Sequence, residues 1–234
     1  MRNSFLKTGK KIVAIGKNYV DHAKEFNSKV PTEPMFFLKP TTSYLLSPNT
    51  ISLPKNQLVH HEIELGFVMK NNANKVQSGN VKADDLIEGF CLGFDLTARD
   101  LQSFAKKNGY PWTVAKGYNH FCPISSLIDN SSFSPERENL SVSQILDNID
   151  KGHYKLVASV NSTVKQDDNL NLMVFKIPEL ISYVSNIMTL EAGDMVLTGT
   201  PKGVGPIQSG DVITGQLINV IDNSEVCRID FSVE

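Results

Sequence analysis

The stretch His60-His61-Glu62-Ile63-Glu64-Leu65-Gly66-Phe67-Val68 decides how this chain is read. As a strand it divides by the period of two: Ile63, Leu65 and Phe67 point one way, Glu62, Glu64 and Gly66 the other. Two glutamates on one strand face repel each other, and glutamate is a poor strand former. One reading leaves both acids on an outer face in water. The other puts a hard divalent cation between the carboxylates, because such an ion takes carboxylate oxygens and keeps positions for water or substrate. That reading needs a third acid nearby, and Asp95 supplies one at the end of the apolar run Gly93-Phe94-Asp95-Leu96.

Composition narrows the rest. The chain has 234 residues, 41% hydrophobic and 21% charged, which describes an ordinary globular protein. A formal net charge of -2, with no basic cluster among aromatics, gives no electrostatic case for nucleic acid. No apolar run approaches the roughly 20 residues that span a bilayer. Cys91, Cys122 and Cys227 form no Cys-x-x-Cys pair and sit in apolar contexts, so buried free thiols in a reducing compartment are expected. The N-terminus has no signal-peptide core. Arg2, Lys7, Lys10, Lys11 and Lys17 precede the first acid, Asp21, a bias that suits a mitochondrial address or a chance basic start. Location is therefore read as mitochondrial or cytoplasmic.

Along the chain, Ile12–Ile15 is a short strand closed by Gly16, residues 18–26 are a short helix, and 27–34 are a polar loop able to move. Met35–Leu38 is a strand stopped by Pro40, and residues 41–54 are irregular. The glutamate strand runs over residues 60–69 and the next strand over 87–96. Residues 98–107 form a helix with Arg99, Gln102 and Lys106 on one face and Leu101 and Phe104 toward the core, ended by Asn108-Gly109. Residues 112–124 are extended and contain Lys116. Residues 129–143 are surface, 155–166 a hairpin turning at Asn161-Ser162, and 173–190 the clearest helix, with Pro178 near its start. Residues 195–198 lead into the turn Gly199–Gly205, and strands over 212–220 and 226–231 close the chain. With no repeat, low-complexity segment or linker, residues 1–234 read as one strand-rich α+β domain.

Several side chains could carry chemistry. His22 and Glu25, three apart on the first helix, share a face; a glutamate there fixes one histidine tautomer and makes a general base for water. An exposed pair of no consequence fits the spacing equally well. Lys116 in Val114-Ala115-Lys116-Gly117-Tyr118 could stabilise an oxyanion, or snorkel at the surface. Arg99 and Gln102 could hold a substrate carboxylate, or line a surface helix. The turn Gly199–Gly205 offers backbone N–H groups to an anion but matches neither the phosphate loop nor the dinucleotide fingerprint.

Taken together, Gly16-Lys17-Asn18-Tyr19 with His22, His61-Glu62-Ile63-Glu64-Leu65, Asp95-Leu96-Thr97-Ala98-Arg99-Asp100, Lys116, and Thr198-Gly199-Thr200-Pro201-Lys202-Gly203-Val204-Gly205 resemble, in order, the motifs of the fumarylacetoacetate hydrolase superfamily. The length resembles its acylpyruvase and oxaloacetate decarboxylase branch. The resemblance implies a mixed β-sandwich roll, a homodimer, and Mg²⁺ or Mn²⁺ on Glu62, Glu64 and Asp95. It implies a water-activating dyad of His22 and Glu25 on a lid segment, an active-site Lys116, and substrate contacts from Arg99, Gln102 and Thr200. Lys17 departs from the commoner arginine, and Asn119 from the commoner aspartate after the lysine.

The activity so implied is metal-dependent cleavage of a carbon–carbon bond in short 2-keto acids. Acylpyruvates would be hydrolysed to pyruvate and a carboxylic acid, and oxaloacetate decarboxylated to pyruvate. The alternative is an oxaloacetate tautomerase or an unsaturated-diacid isomerase working through the same enolate. A folded module that binds without turnover is a third reading, which the intact set of acids, base and lysine disfavours.

Overall fold

Short β-branched runs bounded by glycine, proline and asparagine give this chain many brief strands and few long helices. The computed structural model describes residues 3–25 and 29–234. Its strands are β1 (Ile12–Gly16), β2 (Met35–Lys39), β3 (Tyr44–Leu46), β4 (Thr50–Ile51), β5 (Val59–His61), β6 (Ile63–Met69), β7 (Ile87–Phe94), β8 (Thr97–Ala98), β9 (Cys122–Ile124), β10 (Tyr154–Val160), β11 (Thr163–Asn169), β12 (Met195–Leu197), β13 (Gly205–Ile207), β14 (Val212–Asn219) and β15 (Glu225–Val233). The helices are α1 (Phe5–Thr8), α2 (Val20–Glu25), α3 (Ala83–Leu86), α4 (Arg99–Asn108), α5 (Thr113–Lys116), α6 (Val142–Asp150) and α7 (Ile177–Ile187).

The strands build a mixed seven-stranded sheet in the order β2-β1-β12-β6-β7-β9-β3, a five-stranded sheet β11-β10-β14-β15-β4 and a small sheet β13-β5-β8. The two large sheets face each other: Ile63, Leu65 and Phe67 of β6 share one core with Leu156 of β10, Leu217 of β14 and Phe231 of β15. The other face of the seven-stranded sheet is covered too, with Ile12, Val68, Cys91, Leu197 and Phe5 forming a second cluster. Burial on both faces explains why every residue of β6 is buried although its side chains alternate. This is the expected strand-rich α+β sandwich.

The glutamate stretch is not one strand. β5 pairs with β13 and β8, β6 pairs with β12 and β7, and the chain changes sheets at Glu62. In the β6–β7 ladder Ile63 lies opposite Phe94, so the next residue outward on each strand, Glu62 and Asp95, also come together. The Asp95 N–H donates to the Glu62 carbonyl at 2.8 Å. Strand register thus brings two acids together that are far apart in sequence.

Other expectations need correction. Residues 112–124 are not extended throughout: Thr113–Lys116 is a helical turn, which turns Lys116 inward. Phe104 does not reach the core; it is 58% exposed and packs against Tyr110, while Leu101 alone of that pair touches the core. Residues 41–54 contain β3 and β4, and the helix within 173–190 is confined to Ile177–Ile187, with Ile187 exposed. Within 129–143, Phe133 is fully buried and accepts the Tyr154 hydroxyl on its carbonyl at 2.6 Å. Cys91 and Cys122 are buried free thiols, and Cys227 is half-buried. The expected helix end at Phe26 and the loop start at Asn27 and Ser28 lie outside the described residues, as does Arg2. Lys10 and Lys11 pair with Glu191, and Lys11 also with Asp194, so this part of the basic start serves the fold. No helix among the described residues is long and apolar enough to cross a membrane.

Helix α6 begins on a start signal carried by its own sequence. Ser141 accepts the Gln144 N–H and Gln144 accepts the Ser141 N–H, a capping box, while Val142, Ile145, Leu146 and Ile149 are buried. Ser141→Ala is expected to cost about 1 kcal/mol, lowering the thermal midpoint by roughly 2–4 °C. An unchanged midpoint would contradict this account of the cap.

Candidate active site

Glu62, Glu64 and Asp95 each present a carboxylate oxygen within 4.8 Å of the others, and all three are buried. Each is fixed from outside. Thr97 Oγ1 and Arg99 Nη2 donate to Glu62 Oε1 at 2.7 and 2.6 Å, and Lys116 Nζ donates to Glu62 Oε2 at 3.0 Å. Lys116 also pairs with Asp95 Oδ2, and Lys39 Nζ donates to Asp95 Oδ1 at 2.7 Å. Glu64 Oε2 accepts the Gly199 N–H at 2.7 Å and has no ion pair among the described residues. Gly199 holds φ 97°, with Asn18 packed where a Cβ would stand, so the turn can aim this N–H only with glycine there.

The electrostatics follow from burial. Burial would raise the Glu62 carboxyl, but Lys116 and Arg99 outweigh it and hold it far below the usual range. Glu64 is pushed the other way, well up, by burial and by the like charges of Asp95 and Glu62. Burial would lower Lys116, but Asp95 and Glu62 keep it raised, as an ammonium. Burial brings His22 below its ordinary value against the pull of Glu62 and Glu25, so its imidazole is neutral near pH 7.

A cleft opens over these acids, lined by Lys17, His22, Phe37, Arg99, Gln102, Lys106, Trp112, Lys116 and Thr200 as well as the triad. Arg99 Nη1 donates to Gln102 Oε1 at 2.8 Å, as their spacing on α4 predicts. His22 enters from α2 and lies 3.4 Å from Glu25. Glu25 is not on the cleft wall; it accepts the Gly203 N–H at 3.2 Å, and Lys202 pairs with Asp21, so α2 is latched to the glycine-rich turn at two points. The structure thus gathers Glu62, Glu64, Asp95, His22, Lys116, Arg99, Gln102 and Thr200 in one place, with Glu25 behind His22. Asn119 is not a partner of Lys116, whose ammonium goes to Glu62 and Asp95 instead.

Two buried polar residues escaped the sequence reading. Lys39 is 1% exposed; its signal was a lysine ending an apolar strand before Pro40, the same kind of context that marked Lys116. Gln166 is also 1% exposed, in a strand whose neighbouring residues are solvated, and nothing in its local sequence marks it.

The donor set fits a hard divalent cation. Three buried carboxylates converge, and Glu64 has like charges beside it and no ion pair of its own among the described residues. Three acids pair with or adjoin three cations, Lys39, Lys116 and Arg99, so a divalent ion would leave this cluster with two surplus positive charges, and Lys17 and Lys106 on the cleft wall add to a field suited to an anionic ligand.

Comparison with known proteins agrees with this class of site. The chain belongs to the family described as fumarylacetoacetate (FAA) hydrolase C-terminal, whose pattern matches residues 11–224. It is 45% identical over 213 residues to the mitochondrial oxaloacetate decarboxylase of Dictyostelium discoideum, covering 90% of each chain. It is 40% identical over 218 residues to the mitochondrial oxaloacetate tautomerase FAHD1 of Bos taurus, covering 93% of this chain and 91% of that one. Its fold matches that of fumarylpyruvate hydrolase from Pseudomonas aeruginosa, solved with Mn²⁺ and pyruvate, at a TM-score of 0.79 and 26% identity over 96% of this chain and 89% of the other. The protein is therefore an enzyme of this family.

Glu64→Gln keeps the shape but removes a charged oxygen donor. Mn²⁺ affinity, read by calorimetry, is expected to fall on the order of a hundredfold, by analogy with the loss that follows when a metal site is disturbed. Undiminished affinity would remove Glu64 from the ligand set.

Proposed function

We propose that this enzyme acts on oxaloacetate through an enolate formed at C3, releasing pyruvate and CO₂ or interconverting the keto and enol forms. The buried convergence of Glu62, Glu64 and Asp95 beside Lys116 and Arg99 carries this reading. The decarboxylase and tautomerase relatives support it, since both named activities build negative charge on the 2-oxo oxygen as an enolate forms, that of pyruvate in the one and that of oxaloacetate in the other. A divalent cation, Mg²⁺ or Mn²⁺, held by Glu62, Glu64 and Asp95 would supply Lewis-acid polarisation of the 2-oxo carboxylate.

The chain's own groups do the rest. Arg99, with its fork braced by Gln102 and Glu62, holds the distal carboxylate. Lys116, kept protonated, offers its charge to the oxygen on which negative charge develops. In decarboxylation the C3–C4 bond breaks, its electron pair moves into the enolate, CO₂ leaves, and a proton delivered to C3 gives pyruvate. In tautomerisation neutral His22 removes a proton from C3, and the enol oxygen takes one up.

Hydrolysis of acylpyruvates is a second reading, favoured by one observation: His22 lies 3.4 Å from Glu25, the arrangement of a general base for water. There His22 takes a proton from water as the oxygen adds to the distal carbonyl, and the carbon–carbon bond breaks with a carboxylic acid and pyruvate as products. The relatives' mitochondrial names support a mitochondrial location. A homodimer, implied by the family resemblance, belongs to the same proposal.

The test follows oxaloacetate and acetylpyruvate by absorbance, with pyruvate coupled in parallel, with Mg²⁺ and with a chelator. Metal-dependent loss of the oxaloacetate enol band, with or without pyruvate, is expected. No metal-dependent change in either substrate would overturn the proposal. His22→Ala is expected to lower acylpyruvate hydrolysis by about 10²–10⁴-fold, the usual contribution of a general base, and oxaloacetate decarboxylation far less. Equal losses in both would contradict the role given to His22.

A further inference from the structure

Gln166 lies where a sequence reader would expect a solvated residue. Strand β11 is exposed at Thr163, Val164 and Lys165, and Gln166 alone turns fully inward. A register shift makes this possible: Ala158 pairs with Gln166 but Ser159 pairs with Val164, so Lys165 is an extra residue in the ladder. Such a bulge re-aims the side chain beside it. The glycine-rich turn is seated directly on the bulge. Gly203 holds φ 94°, and a Cβ there would lie 2.0 Å from the Lys165 carbonyl oxygen.

The buried amide makes four contacts, and two of them fix its orientation. The Ile63 N–H donates to Gln166 Oε1 at 3.1 Å, and Gln166 Nε2 donates to the Pro201 carbonyl at 2.8 Å. A backbone N–H can only donate and a carbonyl can only accept, so reversing the amide would set donor against donor and acceptor against acceptor. The other two contacts are then determined. Gln166 Oε1 only accepts, so His61 Nδ1, 3.0 Å away, carries the proton. Gln166 Nε2 only donates, so Thr200 Oγ1, 2.8 Å away, is the acceptor. The Thr200 proton is left over. Thr200 lines the cleft, and its hydroxyl donates to no group among the described residues.

We propose that Gln166 is a positioning residue that holds the Thr200 hydroxyl as a hydrogen-bond donor into the cleft, where it meets a carboxylate or oxo oxygen of the substrate. The inference rests on reading the cleft as a 2-oxo acid site. It adds that the Thr200 proton is kept available for an anionic oxygen from the opposite sheet: from β11 through the bulge, with the Ile63 N–H and the Pro201 carbonyl fixing the amide. A hydroxyl whose proton is spent inside the protein could only accept from a ligand; with Gln166 donating to Thr200, the proton stays free for a ligand oxygen.

Gln166→Glu reverses the polarity at nearly constant shape. The new carboxylate accepts the Thr200 proton, and the ligand meets hydroxyl lone pairs instead. Pyruvate affinity is measured by calorimetry on the Mn²⁺-loaded wild type, Gln166→Glu, Thr200→Val and the double variant. Each single variant is expected to weaken pyruvate on the order of tenfold or more, the double variant no further than either, and Thr200→Ser to bind nearly as the wild type does. Wild-type affinity in Gln166→Glu, or additive losses in the double variant, overturns the proposal. Failure of the wild type to bind pyruvate removes the site reading and this inference with it. The unmutated protein gives a check that does not depend on the cleft reading or on a variant folding. Nitrogen-15 NMR of His61 is expected to show Nδ1 protonated and Nε2 bare, and a proton on Nε2 alone would overturn the amide orientation on which the argument stands.

Discussion

Three carboxylates buried within 4.8 Å of one another are the constraint to which the rest of the structure answers. Taking such charges out of water costs several kcal/mol each, and their repulsion adds to that. Lys39, Lys116 and Arg99 offset much of it, each through a contact of 2.6–3.0 Å to Glu62 or Asp95. Glu64 has no ion pair among the described residues, and burial together with the charges of Asp95 and Glu62 raises its carboxyl against the weaker pull of Lys116. Buried ion pairs of this kind rarely stabilise a fold better than apolar packing would. Their presence at the junction of two sheets is best explained by what the cluster does.

The fold concentrates its irregularities around that cluster. The chain changes sheets at Glu62, turns helical for one turn at Lys116, and runs at positive φ through Gly199 and Gly203. Asn18, fully buried, donates to the Thr198 and Phe175 carbonyls and accepts the Phe175 N–H, tying the segment before α2 to the strand that enters the glycine-rich turn. The seven-stranded sheet, packed on both faces, is rigid enough to hold these departures in place. In the proposed reactions one centre would stabilise either enolate, with His22 on α2 handling the proton or the water and Lys116 on α5 the developing charge.

Much of this was legible in sequence, for identifiable reasons. The pairing of Glu62 with Glu64 violates strand chemistry, and a violation inside an otherwise apolar run marks a site. Arg99, Gln102 and Lys106 follow helical spacing, and all three face the cleft. What was not legible depends on long-range register. Asp95 is an acid at a strand end until the β6–β7 ladder sets it beside Glu62. Lys116 looked extended because its apolar neighbours hide a helical turn. Gln166 is aimed by a bulge that only the pairing of β10 with β11 creates. Helical period points both Leu101 and Phe104 at the core, but only Leu101 packs against it, and Ala105 is the buried apolar residue of α4.

A divalent cation held by the triad would compete with Lys116 for Glu62 Oε2 and Asp95 Oδ2, the two oxygens its ammonium bridges. A crystal of the protein grown with Mn²⁺ and measured at the manganese absorption edge tests this most directly. The account predicts one anomalous peak ligated by Glu62, Glu64 and Asp95, with the Lys116 ammonium moved from its bridging place between Glu62 and Asp95. A Mn²⁺-soaked crystal with no peak at the triad, and Lys116 still bridging the two acids, would contradict it.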